Sequence, residues 1–127
     1  MLDTDSVSYA LRGQGAVGAR LLEHRPSELS ISSITLAELK YGATLKRSRR
    51  LHGLIDTFVA SVQVLSFDED AARQYGRLAA DLHEAGTPIG QADTLIAAHA
   101  LSVGSTLVTN NMRHFERIKG LRTETWA

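Results

Sequence analysis

Two carboxylates stand at the beginning of the chain, in the stretch MLDTD. Asp3 and Asp5 follow two apolar residues, Met1 and Leu2. A chain start is often frayed and tolerates charge, so these acids fit a solvated terminus. If Met1 and Leu2 are instead the end of a buried strand, Asp3 lies at the carboxyl end of that strand. Open α/β sheets bind ligands at this edge. The residues alone leave both explanations open.

Two further acids, Glu38 and Asp93, lie in the first turns of predicted helices. Each has a structural explanation, because Thr35-x-x-Glu38 matches a capping box and a first-turn acid such as Asp93 complements the helix dipole. Three carboxylates brought together with Asp3 would repel one another unless a cation or a proton offset their charge. Oxygen ligands in a chain without cysteine favour Mg²⁺, or Mn²⁺ in its place, over zinc. Such a site is suited to phosphate chemistry.

Short β-leaning segments alternate with helical segments along the chain. The predicted strands follow Met1–Leu2 at 28–33, 62–67 and 105–109, and the predicted helices cover 5–12, 16–24, 36–45, 47–60, 68–85 and 92–103. The clearest helix starts after an N-cap at Asp68 and stops at Gly86, and Thr35 is the predicted cap of 36–45. This alternation predicts an α/β fold in which a parallel sheet is covered by helices on both faces. In that fold the three acids share one sheet edge.

The composition describes one ordinary globular domain, residues 1–127. The charges balance at 14 basic and 14 acidic residues, so any contact with nucleic acid must be local. No segment approaches the ~18 consecutive apolar residues of a membrane span. The acidic start does not resemble a signal peptide and there is no cysteine, so we expect a cytoplasmic protein.

One rival enzyme class is suggested by the same start. Asp3-x-Asp5-x-Val7 matches the pattern of HAD-type phosphatases, in which the first acid is a phosphorylated nucleophile. Such enzymes also need a later lysine and a late acidic pair for Mg²⁺. The stretch TNN at 109–111 supplies no such pair, which counts against this alternative.

Four blocks carry a resemblance to a known family: LDTD (2–5), ISSITLAELKYGA (31–43), PIGQADTLIAAHAL (88–101) and LVTNNMRHFERIKGLRTETWA (107–127). In order and spacing they resemble the PIN-domain ribonuclease toxins of the VapC family, above all the branch that cuts initiator tRNA in its anticodon stem-loop. The resemblance implies a PIN-like α/β/α sandwich around a parallel sheet of four to five short strands. It also implies Mg²⁺-dependent hydrolysis of RNA, a homodimer, and inhibition by a VapB-type antitoxin.

The resemblance assigns roles to the acids. Asp3, Glu38 and Asp93 match the family's catalytic acids, with Asp3 and Asp93 as the principal metal ligands. His114 stands where the family often has a fourth acid, and it is a candidate for positioning the substrate by contacting a phosphate or for replacing a metal ligand. The missing acid also opens the alternative of a silent PIN module that only binds a partner. Asp5 stands where relatives commonly have Asn, and it either caps the first helix or supports Asp3 from outside.

Other residues receive supporting roles. Asn110 and Asn111 are candidates for orienting a water or a ligand, and Lys46, Arg47 and Arg113 for contacting the RNA backbone. We further expect His99 and Trp126 to pack inside the protein, and Tyr41 and Phe58 to lie on helices that form a dimer or antitoxin groove.

Overall fold

The computed structural model describes residues 1–126. Its helices are α1 (Thr4–Leu11), α2 (Val17–Leu21), α3 (Ser33–Leu45), α4 (Arg49–Val59), α5 (Glu69–Glu84), α6 (Gln91–Val103) and α7 (Met112–Phe115), with a 3₁₀ turn at Pro26–Glu28. Its strands are β1 (Ser30–Ser32), β2 (Gln63–Leu65), β3 (Leu107–Val108) and β4 (Thr123–Glu124).

A parallel sheet runs through the centre of the molecule. β1 pairs with β2 and β3 pairs with β4, and Leu2 joins the two pairs by bridging to Ile31 on one side and to Val108 on the other. The Leu2 N–H donates to the Ser30 carbonyl at 2.9 Å, and the Val108 N–H donates to the Met1 carbonyl at 2.8 Å. The predicted α/β fold with four to five short parallel strands is therefore confirmed.

Neighbouring residues of the central strands face opposite sides of the sheet. Met1 and Leu107 pack into one apolar cluster, to which α5 and α6 also contribute. Leu2 and Val108, one position further along, pack into a second cluster with residues of α1, α3 and α4. Because side chains alternate along a strand, this division places a core on each face of the sheet, as in an α/β/α sandwich.

The starts of α1 and α3 differ from the prediction. Thr35 is not the cap of α3, so that prediction is wrong, and of the two explanations for Asp5 the capping of α1 is wrong. α1 is capped by Asp3, whose carboxylate accepts the Ser6 N–H, and α3 is capped by Ser32, whose hydroxyl accepts the Ile34 N–H at 3.0 Å. At both places the chain enters the helix directly from the end of a strand. The residue at the end of the strand therefore lies nearest to the free N–H groups of the helix.

The predicted capping box is consequently absent from α3. Thr35 is buried within the helix, and Glu38 lies in its second turn rather than its first. The predicted helix 16–24 is shorter, at Val17–Leu21. The ends of α5 and α6 are confirmed: Asp68 caps α5, and Gly104 ends α6 with a left-handed φ of 66°.

Within residues 1–126, no helix has the length and apolar character needed to cross a bilayer.

Candidate active site

Asp3 lies at the carboxyl end of the central strand and is only 3% exposed. Its Oδ1 accepts the Ser6 N–H at 2.8 Å. Burial raises the pKa of the Asp3 carboxyl above its ordinary value of 3.8, and the adjacent Asp5 charge raises it further, while hydrogen bonds from Thr109 and Ser6 oppose the shift. An ionised Asp3 is therefore a costly charge in the protein alone, and a bound cation would lower that cost.

Glu38 reaches the same strand end from α3. The Thr4 hydroxyl donates to Glu38 Oε1 and lies 3.3 Å from the Thr35 hydroxyl. Thr4 directly follows Asp3, so Glu38 is held beside the first acid by a single intervening residue. Glu38 can contact Thr4 because its position in the second turn of α3 places its carboxylate over α1 and not over the start of α3.

Asp93 lies in the first turn of α6, which starts after Gly90 with a φ of 95°. His114 Nδ1 lies 3.3 Å from Asp93 Oδ2 and 2.9 Å from the Asn111 side-chain nitrogen. A protonated Nδ1 donates to Asp93, whereas an unprotonated Nδ1 accepts from Asn111. The tautomer of His114 thus decides which of the two neighbours its Nδ1 binds.

Thr109 connects these groups. Its hydroxyl bonds to the Asp3 carboxylate and accepts the Asn111 N–H at 2.9 Å. A series of contacts therefore leads from Asp3 through Thr109, Asn111 and His114 to Asp93. Among residues 1–126, however, no three acidic or histidine side chains lie close enough together to form a ready metal-binding group. Asp3 and Asp93 are joined by this series of contacts, and Glu38 lies beside Asp3 through Thr4, without a closed cage of ligands.

The predicted supporting residues lie around this set. Asp5 is exposed in the first turn of α1. Asn110 accepts a hydrogen bond from the Thr125 hydroxyl at 3.0 Å, so its side chain is turned toward the segment that follows β4. Asn111, in contrast, contacts His114 directly. Of the two asparagines, only Asn111 has a side-chain contact that leads to one of the acids.

The three basic residues predicted to contact RNA are all exposed. Lys46 lines a cavity of about 160 Å³ together with Glu38 and Arg12, between α1, α3 and α4. Arg47 follows the end of α3 with a positive φ of 49°, and Arg113 lies in α7 next to His114. Of these three residues, Lys46 shares a cavity with one of the acids, and contact with RNA stays a prediction for all three.

The packing predictions have mixed outcomes. His99 and Trp126 are buried, as expected, and His99 Nδ1 lies 2.7 Å from the Ser32 hydroxyl. Tyr41 is 67% exposed and available to a partner. Phe58 is buried in the core, so its predicted place in a groove is wrong.

Two hydroxyl residues of the site are not predicted from the sequence. Thr4 and Thr109 contact the Glu38 and Asp3 carboxylates, respectively. Their positions in the sequence could have identified them. Thr4 directly follows the first acid, and Thr109 is the last residue of a predicted strand. Hydroxyls at the carboxyl ends of parallel strands lie at the sheet edge where ligands bind.

Comparison with known proteins identifies the family. The profile of the PIN domain matches residues 1–121. The chain belongs to the PIN-domain family. This PIN domain is 40% identical to the tRNA(fMet)-specific endonuclease VapC of Shigella flexneri and 41% identical to that of Salmonella typhimurium, with 100% of this chain and 97% of each relative covered. Ribonuclease VapC2 of Rickettsia felis is 36% identical.

Solved structures confirm the PIN fold. The DNA-bound VapBC complex of Salmonella typhimurium contains a chain with a TM-score of 0.91 and 39% identity, covering 100% of this chain and 97% of that one. VapBC2 of Rickettsia felis, solved with a promoter DNA fragment, gives a TM-score of 0.90 at 35% identity, covering 100% and 98%. The PIN fold accounts for the acidic start of the chain without the phosphatase alternative.

Proposed function

We propose that this PIN domain is the toxin of a VapBC-type pair and a Mg²⁺-dependent endoribonuclease. Its proposed substrate is structured RNA, namely the anticodon stem-loop of initiator tRNA, so that its activity inhibits translation. The observation that carries the proposal is the contact series from Asp3 to Asp93 at the strand ends, in a chain that matches tRNA(fMet)-specific endonucleases along its full length.

The donor chemistry of the site fits Mg²⁺, or Mn²⁺ in its place. Asp3 is a buried carboxylate whose pKa is raised by burial, so a cation would stabilise its ionised form. Mg²⁺ prefers oxygen ligands and is commonly held by one or two carboxylates together with waters. Asp3 and Asp93 would supply those carboxylates, and a closed protein cage is not required.

The remaining groups act around these ligands. When bound, Mg²⁺ would activate a water and offset charge on the scissile phosphate. Glu38, held by the Thr4 hydroxyl, would orient the attacking water or accept its proton. His114 would donate from a ring N–H to Asp93 or to a substrate phosphate. Thr109 keeps Asp3 oriented through its hydrogen bond.

The proposed partners are an antitoxin of the VapB type, the RNA substrate and a second copy of this chain. Several of the similar structures are VapBC complexes, which supports the antitoxin. The exposed ring of Tyr41 offers apolar surface for a protein partner. We place the protein in the cytoplasm, where its proposed substrate is found.

The function is tested by mapping RNA ends after purified protein is incubated with total RNA and Mg²⁺. We expect a single new cut in the anticodon stem-loop of initiator tRNA. It should be absent with EDTA and with Asp93→Asn, because that change removes a proposed metal ligand. Asp70→Asn is the matched control, since it removes an exposed first-turn acid from α5 and should leave cleavage unchanged.

The other outcomes are equally informative. A cut in a different RNA would retain the ribonuclease and overturn the substrate. No cut by folded protein free of antitoxin would contradict the enzyme and favour a PIN module that only binds. Cleavage by Asp93→Asn at the wild-type rate would contradict the assignment of Asp93.

A further inference from the structure

A groove of about 700 Å³ lies between α5 and the segment that follows α7. Its floor is apolar and contains Leu78 and Leu82 of α5 together with Ile118. Its rim carries three cationic side chains and one carboxylate, which define what we call the basic groove: Arg77, Asp81, Arg117 and Lys119. The local charge is therefore positive, in a chain whose total charge is zero.

The cations of the basic groove are available to a ligand. Arg77, Arg117 and Lys119 are all exposed. Among residues 1–126, neither Arg117 nor Lys119 forms a side-chain hydrogen bond or an ion pair, and Arg77 contacts only the neutral side chain of Gln74. Exposed charges without a partner at the rim of a concave surface attract a ligand of opposite charge.

Along the chain, the basic groove is connected to the two segments that carry Asp93 and His114. Thr87 lines the groove and lies three positions before Gly90, the N-cap residue of α6, whose first turn contains Asp93. On the other wall, Arg117 follows His114 by three positions. From Arg77 to Ala85 the α5 wall is about 12 Å long, which exceeds the roughly 3.4 Å rise per nucleotide of a stacked strand.

We propose that the basic groove binds the phosphate backbone of the substrate RNA where the strand leaves the site. This inference rests on the proposed function and adds to it a second contact outside the acidic site. Phosphate contacts set the position of a nucleic acid without reading its sequence, and Arg and Lys are the side chains that make them. The α5 wall is long enough to contact more than one phosphate. The carboxylates of Asp3 and Asp93 are negatively charged and cannot provide this attraction.

A second copy of this chain is a poorer occupant of the groove. In a two-fold symmetric interface each patch faces its own copy, so the cations of one groove would face those of the other. Asp81 alone cannot offset three cations. Charge thus favours a polyanion over self-association.

The test measures binding of initiator tRNA to the full chain carrying Asp93→Asn, which prevents cleavage during the measurement. Arg117→Gln combined with Lys119→Gln should weaken binding roughly tenfold and reduce the salt slope of log K by about one for each phosphate that the variant no longer neutralises. Asp81→Asn should strengthen binding. Arg73→Gln is the control, because Arg73 lies exposed on the same helix outside the groove and pairs with Glu69.

Equal affinity and salt slope in the double variant and in the Arg73 control would overturn the inference while leaving the ribonuclease proposal intact. Absence of any tRNA binding by the Asp93→Asn parent would instead contradict the proposed substrate, and the inference with it. Light scattering completes the test: a change of oligomeric state in the double variant would assign the groove to contact between copies and overturn the RNA contact. Melting temperatures confirm that the compared variants are folded.

Discussion

At the scale of single residues, Asp3 combines two roles that oppose each other. It caps α1 by accepting the Ser6 N–H, which stabilises the fold. Its burial also makes its charge costly, as the raised pKa indicates. A neutral side chain could perform the first role at lower cost, so a carboxylate at this position is best explained by function.

Asp3→Asn separates the two roles. Because burial raises the pKa of Asp3 above 3.8, the folded state binds the proton more tightly than the unfolded chain. Stability is therefore lost as the pH rises through 3.8 to the folded pKa, and it stays lower at neutral pH. The variant should melt at a higher temperature than the wild type at neutral pH in EDTA, and it should not cleave RNA.

Addition of Mg²⁺ provides the control for this variant. It should raise the melting temperature of the wild type, since a ligand that binds only the folded state stabilises it, and it should leave Asp3→Asn unchanged. A variant that melts below the wild type in EDTA would show that burial of the Asp3 charge is not destabilising.

At the scale of elements, Ser32 joins three of them. It is the last residue of β1, it caps α3 through the Ile34 N–H, and its hydroxyl lies 2.7 Å from His99 on α6. The hydroxyl can accept from Ile34 and donate to a neutral His99 at the same time. α3 carries Glu38 and α6 carries Asp93, so this contact connects the two helices that carry proposed site acids.

Ser32→Ala should destabilise the protein by about 2 kcal/mol, roughly half from removal of the cap and half from the unpaired buried imidazole. Ser48→Ala is the matched control, because Ser48 caps α4 by accepting the Leu51 N–H at 3.0 Å. Removal of that cap alone should cost about 1 kcal/mol. Urea unfolding measures both values, and equal losses of stability would mean that the His99 contact contributes nothing.

His99 also makes stability depend on pH. Burial lowers the pKa of its imidazole below 6.5, and the Asp68 charge opposes this shift. When the pH falls below 6.5, the unfolded chain therefore takes up the proton before the folded protein does. Stability is complete above 6.5 and is lost as the pH falls toward the folded pKa.

The measurement compares the free energy of unfolding at about pH 8 and about pH 5 in the wild type and in His99→Gln. The decrease between the two pH values should be smaller in the variant, since glutamine does not titrate. An identical decrease in both proteins would show that titration of His99 does not cause the loss of stability.

At the scale of the whole molecule, the short segment of residues 1–3 holds the two halves of the sheet together. Leu2 bridges to Ile31 and to Val108, and so joins β1–β2 to β3–β4. Its side chain packs in the cluster formed with α1, α3 and α4. The same short segment positions Asp3, so the integrity of the sheet and the geometry of the site depend on each other.

Leu2→Ala should cost 2–5 kcal/mol, about the usual range for a leucine removed from a packed core. Leu22→Ala provides the comparison with identical chemistry: Leu2 is 1% exposed and Leu22 is 89% exposed. The second change should alter the free energy of unfolding by less than about 0.5 kcal/mol. Similar losses of stability in the two variants would contradict a central place for Leu2.

The sequence by itself determined the features that are set locally. The alternation of strands and helices, the cap at Asp68 and the end of α6 at residue 103 follow from neighbouring residues, and all were predicted correctly. The PIN family also follows from short motifs in a fixed order. Such features need no knowledge of distant contacts, because their causes lie within one or two turns of chain.

Only the tertiary structure decided which side chains meet. The caps at Asp3 and Ser32 depend on where the paired strands end, which strand pairing sets and local propensity does not. The hydrogen bond from Thr109 to Asp3 and the contact of His114 with Asp93 join residues far apart in sequence. Burial, and with it the raised pKa of Asp3, exists only after the layers pack, because desolvation is a property of the assembled core.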